Sequence, residues 1–419
     1  MSKIKLIQAR EILNAKGIPT LEATVVLSDN SIAVSSAPGR TSVAGFEAAE
    51  IVDNDQTRFA GQGVLKAVDS INSLIGPALL GMDATKQREI DHMMIDMDGT
   101  QNKSKLGANA ILSVSMAVAK AAAISSSLPL FLYLRQYLNK ENLDLKIPTP
   151  CFNIINGGKI AGEKLDFQSF LLIPASSKTY SESLQIGTNI YRLLKEDLVL
   201  KNLPTLIGDE GGFGPDLPTN EDGLNIIKQT VENASLRFGF DVFLGLDCSA
   251  DNFYSDKKYK IKDNATAMSS NDLIEYYSML NDKFHILYLE DPLQEEDWEG
   301  WTHLSTKLTE NTIIVGDHLT STNPYRLQMA IDKKAITGIV IKPSQIGTVI
   351  ETLAVVEVAR QAGMKIIVSS TSAETTDDFI ADMAVAVSAD YVKFGAPARG
   401  ENVIKFNRLL ELETQIKAI

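Results

Sequence analysis

The chain has 419 residues, of which 44% are apolar and 22% charged, and its formal net charge is −13. This length indicates two domains, and the acidic balance argues against nucleic acid and against an anionic membrane surface as partners. A small anionic substrate is not excluded, because a bound cation can reverse the local field.

The N-terminal stretch MSKIKLIQAREIL has no apolar segment followed by a cleavage site. No apolar run reaches the roughly 20 residues that a membrane span needs. Two cysteines, Cys151 and Cys248, are too few for a disulfide scaffold, and we expect both to be small buried residues. These features predict a cytoplasmic protein without a membrane partner.

The first part of the chain mixes strand and helix patterns. IKLIQAREIL and LEATVVLSDN predict strands joined at a turn that contains Gly17 and Pro19. SSAPGRTSVAG predicts a mobile loop, and LGANAILSVSMAVAKAAAI predicts a helix whose small residues suit close packing. We therefore expect an α+β domain over residues 1–140, which ends at the polar and then proline-rich segment NKENLDLKIPTP.

Residues 141–419 alternate strand-like and helical segments, which is typical of an α/β domain. Continuous apolar runs predict parallel strands that are buried on both faces, and a barrel of such strands places its chemistry at their C-terminal ends. Several runs end at or near a charged residue: Asp247, Glu290, Asp317, Lys342 and Lys393. Three carboxylates there suggest an oxygen-ligand metal site, and two lysines beside it suggest proton transfer.

Long ordered motifs along the whole chain resemble those of the enolase family. The motifs are NKSKLGANAIL (102–112), FNIINGG (152–158), GDEGGFGPD (208–216), LEDPLQEEDWEGW (289–301), IKPSQIGT (341–348) and FGAPARGEN (394–402). The resemblance implies a (β/α)8-like barrel, hence an α/β fold class, with an N-terminal α+β capping domain. It also implies a homodimer and Mg²⁺-assisted removal of a proton next to a carboxylate.

The resemblance also implies roles for residues that match the family positions. Asp247, Glu290 and Asp317 match the ligands of the tightly held Mg²⁺. Lys342 matches the general base, and Lys393 matches the lysine that contacts the substrate carboxylate and the developing enolate. Glu210 matches the carboxylate of the acid half of the mechanism, and Gln168 matches a glutamine near the metal and substrate. A lysine among cations has a lowered pKa, so we expect Lys342 to act as a base near neutrality.

The chain departs from the family in two loops that close over the active site in enolases. In PGRTSVAGFEA, the serine that joins a second Mg²⁺ is replaced by Gly39, and the next glycine by Arg40. In NGGKIAGE, a serine is replaced by Lys159 and a histidine by Ile160. Arg40 and Lys159 are new cations that could contact a relocated anionic group of the substrate, or they are solvated loop charges.

Further departures affect the acid and the phosphate contact. The glutamate after Gln168 is replaced by Ser169. In VSSTSAET, which we expect to contact the substrate through Ser370, Thr371 and Ser372, Ser370 replaces a histidine and Thr371 replaces the phosphate-binding arginine. Threonine cannot supply the bidentate charged contact of arginine. His318 replaces a second aspartate and is open to three interpretations: a group beside the metal ligands, a new acid, or a structural residue.

These observations leave three functions open. The favoured one is a divergent Mg²⁺-dependent lyase that acts on a carboxylate other than 2-phosphoglycerate, such as a phosphonate or hydroxy-acid relative. The second is authentic 2-phosphoglycerate dehydratase, and the third is a non-catalytic binding or scaffold protein. Retention of Lys342 and Lys393 disfavours the scaffold, which needs no base, and Thr371 disfavours the authentic enolase.

Overall fold

The structure is a computed structural model that describes residues 2–39, 45–139 and 144–418. Its N-terminal unit has an antiparallel sheet in the order β1-β2-β3 and helices that pack on it. The elements are β1 (Ile4–Leu13), β2 (Pro19–Leu27), β3 (Ile32–Ser36), α1 (Leu65–Asp69), α2 (Gly76–Leu79), α3 (Gln87–Asp98), α4 (Ala108–Ser125) and α5 (Leu130–Leu134).

Helix α4 forms the core of the N-terminal unit. Leu21, Ala23, Val25 and Leu27 of β2 point to one face and are fully buried, as alternation along a strand predicts. The alanines of α4 allow close approach to this face. By length and composition α4 could cross a membrane, but 83% of its 18 residues are buried inside the protein, as in the core helix of a globular domain.

The second unit is a closed barrel. Its strands, with one small hairpin (β8 and β9), are β4 (Thr149–Pro150), β5 (Phe152–Asn156), β6 (Ser169–Pro174), β7 (Val242–Asp247), β8 (Tyr254–Ser255), β9 (Lys258–Tyr259), β10 (Ile286–Glu290), β11 (Ile313–Gly316), β12 (Gly338–Ile341), β13 (Lys365–Ser369) and β14 (Tyr391–Lys393). The barrel order is β4-β14-β13-β12-β11-β10-β7-β6-β5. Since only Cys151 separates β4 from β5, these two segments act as one strand that closes the sheet.

The start of the barrel departs from regular strand-helix alternation. Strand β6 runs antiparallel to both β5 and β7, whereas β7 and the barrel strands after it are parallel. The connection from β5 to β6 carries only the short 3-10 helix Gly158–Ala161. A parallel connection needs a crossover, usually a full helix, so this short glycine-rich link returns the chain as an antiparallel neighbour.

Helices surround the barrel and several begin at a capping box. Thr179, Thr219 and Ser269 each accept a backbone N–H from the third residue of the helix that follows. The helices are α6 (Tyr180–Leu200), α7 (Asn220–Asn233), α8 (Ser270–Phe284), α9 (Trp298–Leu308), α10 (Pro324–Asp332), α11 (Pro343–Ile346), α12 (Val349–Gln361), α13 (Phe379–Ala386) and α14 (Gly400–Lys417).

The N-terminal unit is attached to the barrel through the start of α12. Ser115 Oγ accepts a hydrogen bond from the backbone N–H of Val349 (3.0 Å), and Asp91 Oδ2 accepts one from Ile350 (3.0 Å). Side chains of one unit thus satisfy helix-terminal N–H groups of the other. The predicted domain boundary at residue 140 lies outside the described residues and stays a prediction.

Candidate active site

A cavity of about 490 Å³ opens at the C-terminal ends of the barrel strands, beneath the N-terminal unit. Its walls combine residues from both units and are strongly polar. Of the residues that the sequence singles out, those lining it are Lys159, Gln168, Glu210, Asp317, Lys342, Ser370, Thr371, Ser372 and Lys393. Arg40 lies outside the described residues, so its predicted substrate contact stays a prediction.

The three predicted metal ligands sit on neighbouring strands. Glu290 lies beside Asp247 in the parallel register of β7 and β10, and Asp317 directly follows β11, the next strand. Their exposed fractions are 1% for Asp247, 0% for Glu290 and 4% for Asp317. Carboxylates this deeply buried need cations or hydrogen-bond donors beside them.

Two lysines supply part of that compensation. Lys393 Nζ donates to Asp247 Oδ2 at 2.9 Å and to Glu290 Oε1 at 2.5 Å. Lys342 Nζ pairs with the carboxylate of Asp317. Gln168 Nε2 donates to Asp247 Oδ2 at 3.3 Å. The structure therefore brings the predicted ligands, both lysines and the glutamine into one cluster.

The pKa of Lys342 is shifted in the direction opposite to that expected from the sequence. Burial lowers the pKa of its amine, but the contact with Asp317 outweighs burial and raises this pKa above its ordinary value. The expected lowering does not occur in this arrangement, because the nearest charge is a carboxylate and not a cation. For the site with a cation bound beside Lys342, it stays a prediction. A base at this position must first lose its ion pair with Asp317.

Glu210 is the predicted acid, and its carboxyl group lines the cavity. Glu210 Oε2 accepts hydrogen bonds from Asn153 Nδ2 at 2.5 Å and from Ser169 Oγ at 3.3 Å. Burial raises the pKa of Glu210 despite the attraction of Lys393. Ser169 thus has a hydroxyl group where the family has a second carboxylate. The raised pKa of Glu210 favours the protonated form that a proton donor needs.

The cluster fits a hard divalent cation. Burial, followed by the charge of Asp247, raises the pKa of Glu290 well above its ordinary value. Glu290 therefore has less positive charge around it than its ionisation requires. Burial raises the pKa of Asp317, but the charge of Lys342 outweighs burial and holds this pKa below its ordinary value. Carboxylate oxygens are the ligands that Mg²⁺ prefers, so Asp247, Glu290 and Asp317 would hold it.

Comparison with protein families adds an independent finding. Residues 4–134 match the family model described as the enolase N-terminal domain, and residues 144–419 match the enolase C-terminal TIM barrel domain. The chain belongs to the enolase family. The predicted fold class, an α/β barrel with an N-terminal capping domain, is confirmed by these matches and by the barrel itself.

Thr371 occupies the position of the phosphate arginine of enolases, and it lines the cavity between Ser370 and Ser372. The backbone N–H of Thr371 donates to Glu374 Oε1 at 3.0 Å, while Thr371 Oγ1 is buried without a hydrogen-bond partner. Glu374 is held in turn by the buried Lys405 at 3.2 Å. Lys159 lines the cavity and its side chain is exposed, which suits contact with solvent or with an anionic group.

Gly39, which replaces the enolase serine, is packed against Asn14. A Cβ atom at Gly39 would lie 2.4 Å from Asn14 Nδ2, which is buried and has no hydrogen-bond partner. Asn14 Oδ1 accepts from the backbone N–H groups of Lys16 (2.9 Å) and Ile18 (3.1 Å), so its amide cannot simply turn away. The absence of a side chain at Gly39 therefore leaves the space that Asn14 occupies.

Restoring the serine should consequently destabilise the protein. We expect Gly39→Ser to lower the free energy of unfolding by about 1–3 kcal/mol, the usual effect of overpacking. Gly45→Ser is the matched control, since a Cβ there meets nothing within 4 Å. Thermal unfolding should show a lower Tm for Gly39→Ser alone, and recovery when Asn14→Ala is added. Equal Tm values for the two serine variants would contradict this packing argument.

Several residues that line the cavity or contact its lining were not singled out in the sequence analysis. Gln345 Nε2 donates to Asp317 Oδ1 at 3.1 Å and to Glu47 Oε1 at 3.2 Å. Asn153 holds Glu210. Gln345 and Asn153 lie inside motifs that carried the resemblance, IKPSQIGT and FNIINGG, so motif membership was the available signal. Glu47 lies in PGRTSVAGFEA, which was compared with the family only for its departures, and its contact with Gln345 joins the two units.

Metal binding gives a direct test of the ligand set. We expect calorimetry to show Mg²⁺ binding to the wild type and loss of that binding in Asp317→Ala, since one of three buried carboxylates is removed. Asp332→Ala, an exposed acidic residue at the end of α10, is the control for loss of a charge. Unchanged Mg²⁺ binding in Asp317→Ala would refute the assignment.

Proposed function

We propose that this enolase-family protein is a Mg²⁺-dependent lyase that abstracts a proton α to a carboxylate and forms an enolate. We further propose that its substrate is not 2-phosphoglycerate but a phosphonate or hydroxy-acid relative. The observation that supports this most is the coexistence, in one cavity, of Lys342, Lys393 and Glu210 with a hydroxyl wall in place of the phosphate arginine.

In this proposal Lys342 takes the α-proton through its Nζ atom. The carbanion delocalises into the substrate carboxylate, which becomes a dianion. Lys393 lies within the carboxylate cluster and lines the cavity, so its ammonium group can stabilise that dianion by a charge-assisted contact. A bound Mg²⁺ would add positive charge at the substrate carboxylate and would compete with Lys342 for Asp317.

Glu210 completes the elimination. Its raised pKa favours the protonated carboxyl group, which can donate a proton to the leaving group. Gln168, bonded to Asp247, also lines the cavity and is placed to orient the substrate. Ser370, Thr371 and Ser372 supply hydroxyl contacts to the part of the substrate that phosphate occupies in ordinary enolases. Arg40 and Lys159 are our candidates for contact with a relocated anionic group.

Hydrogen exchange tests the proposal before the substrate is known. The protein is incubated with Mg²⁺ in D₂O and a panel of phospho-, phosphono- and hydroxy-acids, and NMR follows loss of the α-hydrogen. Exchange of at least one panel acid other than 2-phosphoglycerate supports the proposed chemistry. Exchange of 2-phosphoglycerate alone would favour the authentic enolase, and no exchange across the panel would favour the scaffold.

A further inference from the structure

A second group of possible ligands lies beside the cavity and shares Asp317 with the predicted Mg²⁺ cluster. Asp291, Asp317 and His318 each offer a ligand atom, and these atoms all lie within 4.8 Å of one another. Asp291 and Asp317 are buried, whereas His318 lines the cavity with 19% of its side chain exposed. A cation could therefore reach these side chains from the cavity.

The spacing of the group suits a shared cation better than direct pairing. His318 Nδ1 and Asp291 Oδ2 are 3.9 Å apart, which is too long for a hydrogen bond. Ligand atoms that each lie about 2.0–2.2 Å from one ion are themselves roughly 3–4 Å apart. Within the described part of the chain, no polar group makes a hydrogen bond to the imidazole of His318.

Backbone contacts hold the group in place. Asp291 Oδ1 accepts the N–H of Asp317 at 3.0 Å, and Asp291 Oδ2 accepts the N–H of His318 at 2.8 Å. The carboxylate of Asp291 thus fixes the backbone of the two residues that supply the other ligand atoms. Each carboxylate oxygen has a second lone pair, so these contacts leave Asp291 able to bind an ion.

The surrounding charge also favours a cation. Asp251, Glu295 and Glu47 line the cavity as well, so further carboxylates lie around the group. The positive charge of Lys342, which is paired with Asp317, opposes the negative charge of these carboxylates. The carboxylates outnumber this lysine, so the potential around the imidazole is negative and attracts a divalent ion.

We propose that Asp291, Asp317 and His318 form a cation site with a nitrogen ligand, and that this site takes a transition-metal ion of the Mn²⁺, Co²⁺ or Zn²⁺ class. Imidazole binds such ions well, whereas Mg²⁺ prefers oxygen ligands. The site shares Asp317 with the predicted Mg²⁺ cluster and differs from it by the imidazole. This site does not depend on the proposed reaction, because the test detects which atoms bind the ion and not turnover of a substrate.

The test uses Mn²⁺ as the probe, in the presence of Mg²⁺ at a concentration that fills the carboxylate cluster. Pulsed electron paramagnetic resonance detects ¹⁴N coupling when an imidazole is bound to Mn²⁺. We expect this coupling in the wild type and in His303→Gln, a control at an exposed histidine, and its loss in His318→Gln. Removal of the ligand should also weaken Mn²⁺ binding by at least about tenfold, the lower end of the loss seen when only a residue that orients a ligand is removed.

Two results would overturn the proposal: Mn²⁺ bound to the wild type without ¹⁴N coupling, or coupling that persists in His318→Gln. His318→Asp offers a second variant if His318→Gln does not fold, since it retains a ligand but removes the nitrogen. Lys342→Ala should keep the coupling whether or not it exchanges substrate protons. Failure of the metal site and failure of the proposed reaction are therefore distinguishable.

Discussion

Lys342→Ala is expected to reduce α-hydrogen exchange by at least about 100-fold, the lower end of what a positioned general base contributes. The loss should appear in the rate at saturating substrate, because the amine acts in proton transfer. Solvent-deuterium NMR with the best acid of the panel measures it. Binding of that acid should change less than the exchange rate, since Lys393 and the carboxylate cluster remain.

The control is Lys195→Ala, a change at an exposed lysine of α6. It removes the same charge and leaves the cavity intact, so its exchange rate should equal that of the wild type. If Lys342→Ala exchanges the substrate as fast as Lys195→Ala, Lys342 is not the base. Arg40→Ala should instead mainly weaken substrate binding, if Arg40 contacts the substrate.

Turnover of 2-phosphoglycerate should be very low or absent. A charge-assisted contact to phosphate contributes roughly 1.5–3 kcal/mol, which corresponds to about ten- to a hundredfold or more in rate. Thr371 cannot supply such a contact, and Gly39 has no hydroxyl for a second Mg²⁺. Phosphoenolpyruvate formation, followed by absorbance at saturating Mg²⁺, gives the measurement.

An ordinary enolase assayed under the same conditions is the reference for this result. A turnover number in the range of typical enzymes, about 1–1000 s⁻¹, would show that the chain is an authentic 2-phosphoglycerate dehydratase. In that case the cavity must bind phosphate without an arginine at position 371, and Arg40 and Lys159 become the first residues to replace.

Much of the barrel was predictable because several of its parallel strands leave two local signals. Apolar runs such as FLGLD and GIVIK mark burial on both faces, and the charged residue at their end marks the catalytic edge. The antiparallel start was not predictable in the same way. Strand direction depends on how the link between β5 and β6 returns, and NGGKIAGEKLDF shows only that no long helix lies there.

The site residues were predictable where a motif carried them, but their interactions were not. The pKa of Lys342 depends on which charged group lies nearest. The sequence does not reveal that this group is Asp317. The fit of Gly39 against Asn14 and the contact between Glu47 and Gln345 join distant parts of the chain. Contacts of this kind arise from packing between the two units, for which local sequence has no signal.

The attachment of the N-terminal unit to α12 has a consequence for synthesis. Ser115 and Val349 are separated by 234 residues, and Asp91 and Ile350 by 259. At about 5–20 residues per second, a ribosome needs roughly 10–50 s to make the intervening chain. During that interval Ser115 and Asp91 lack the α12 N–H groups that they bind in the finished fold. This polar surface of the nascent N-terminal unit therefore stays exposed to solvent until the barrel is made.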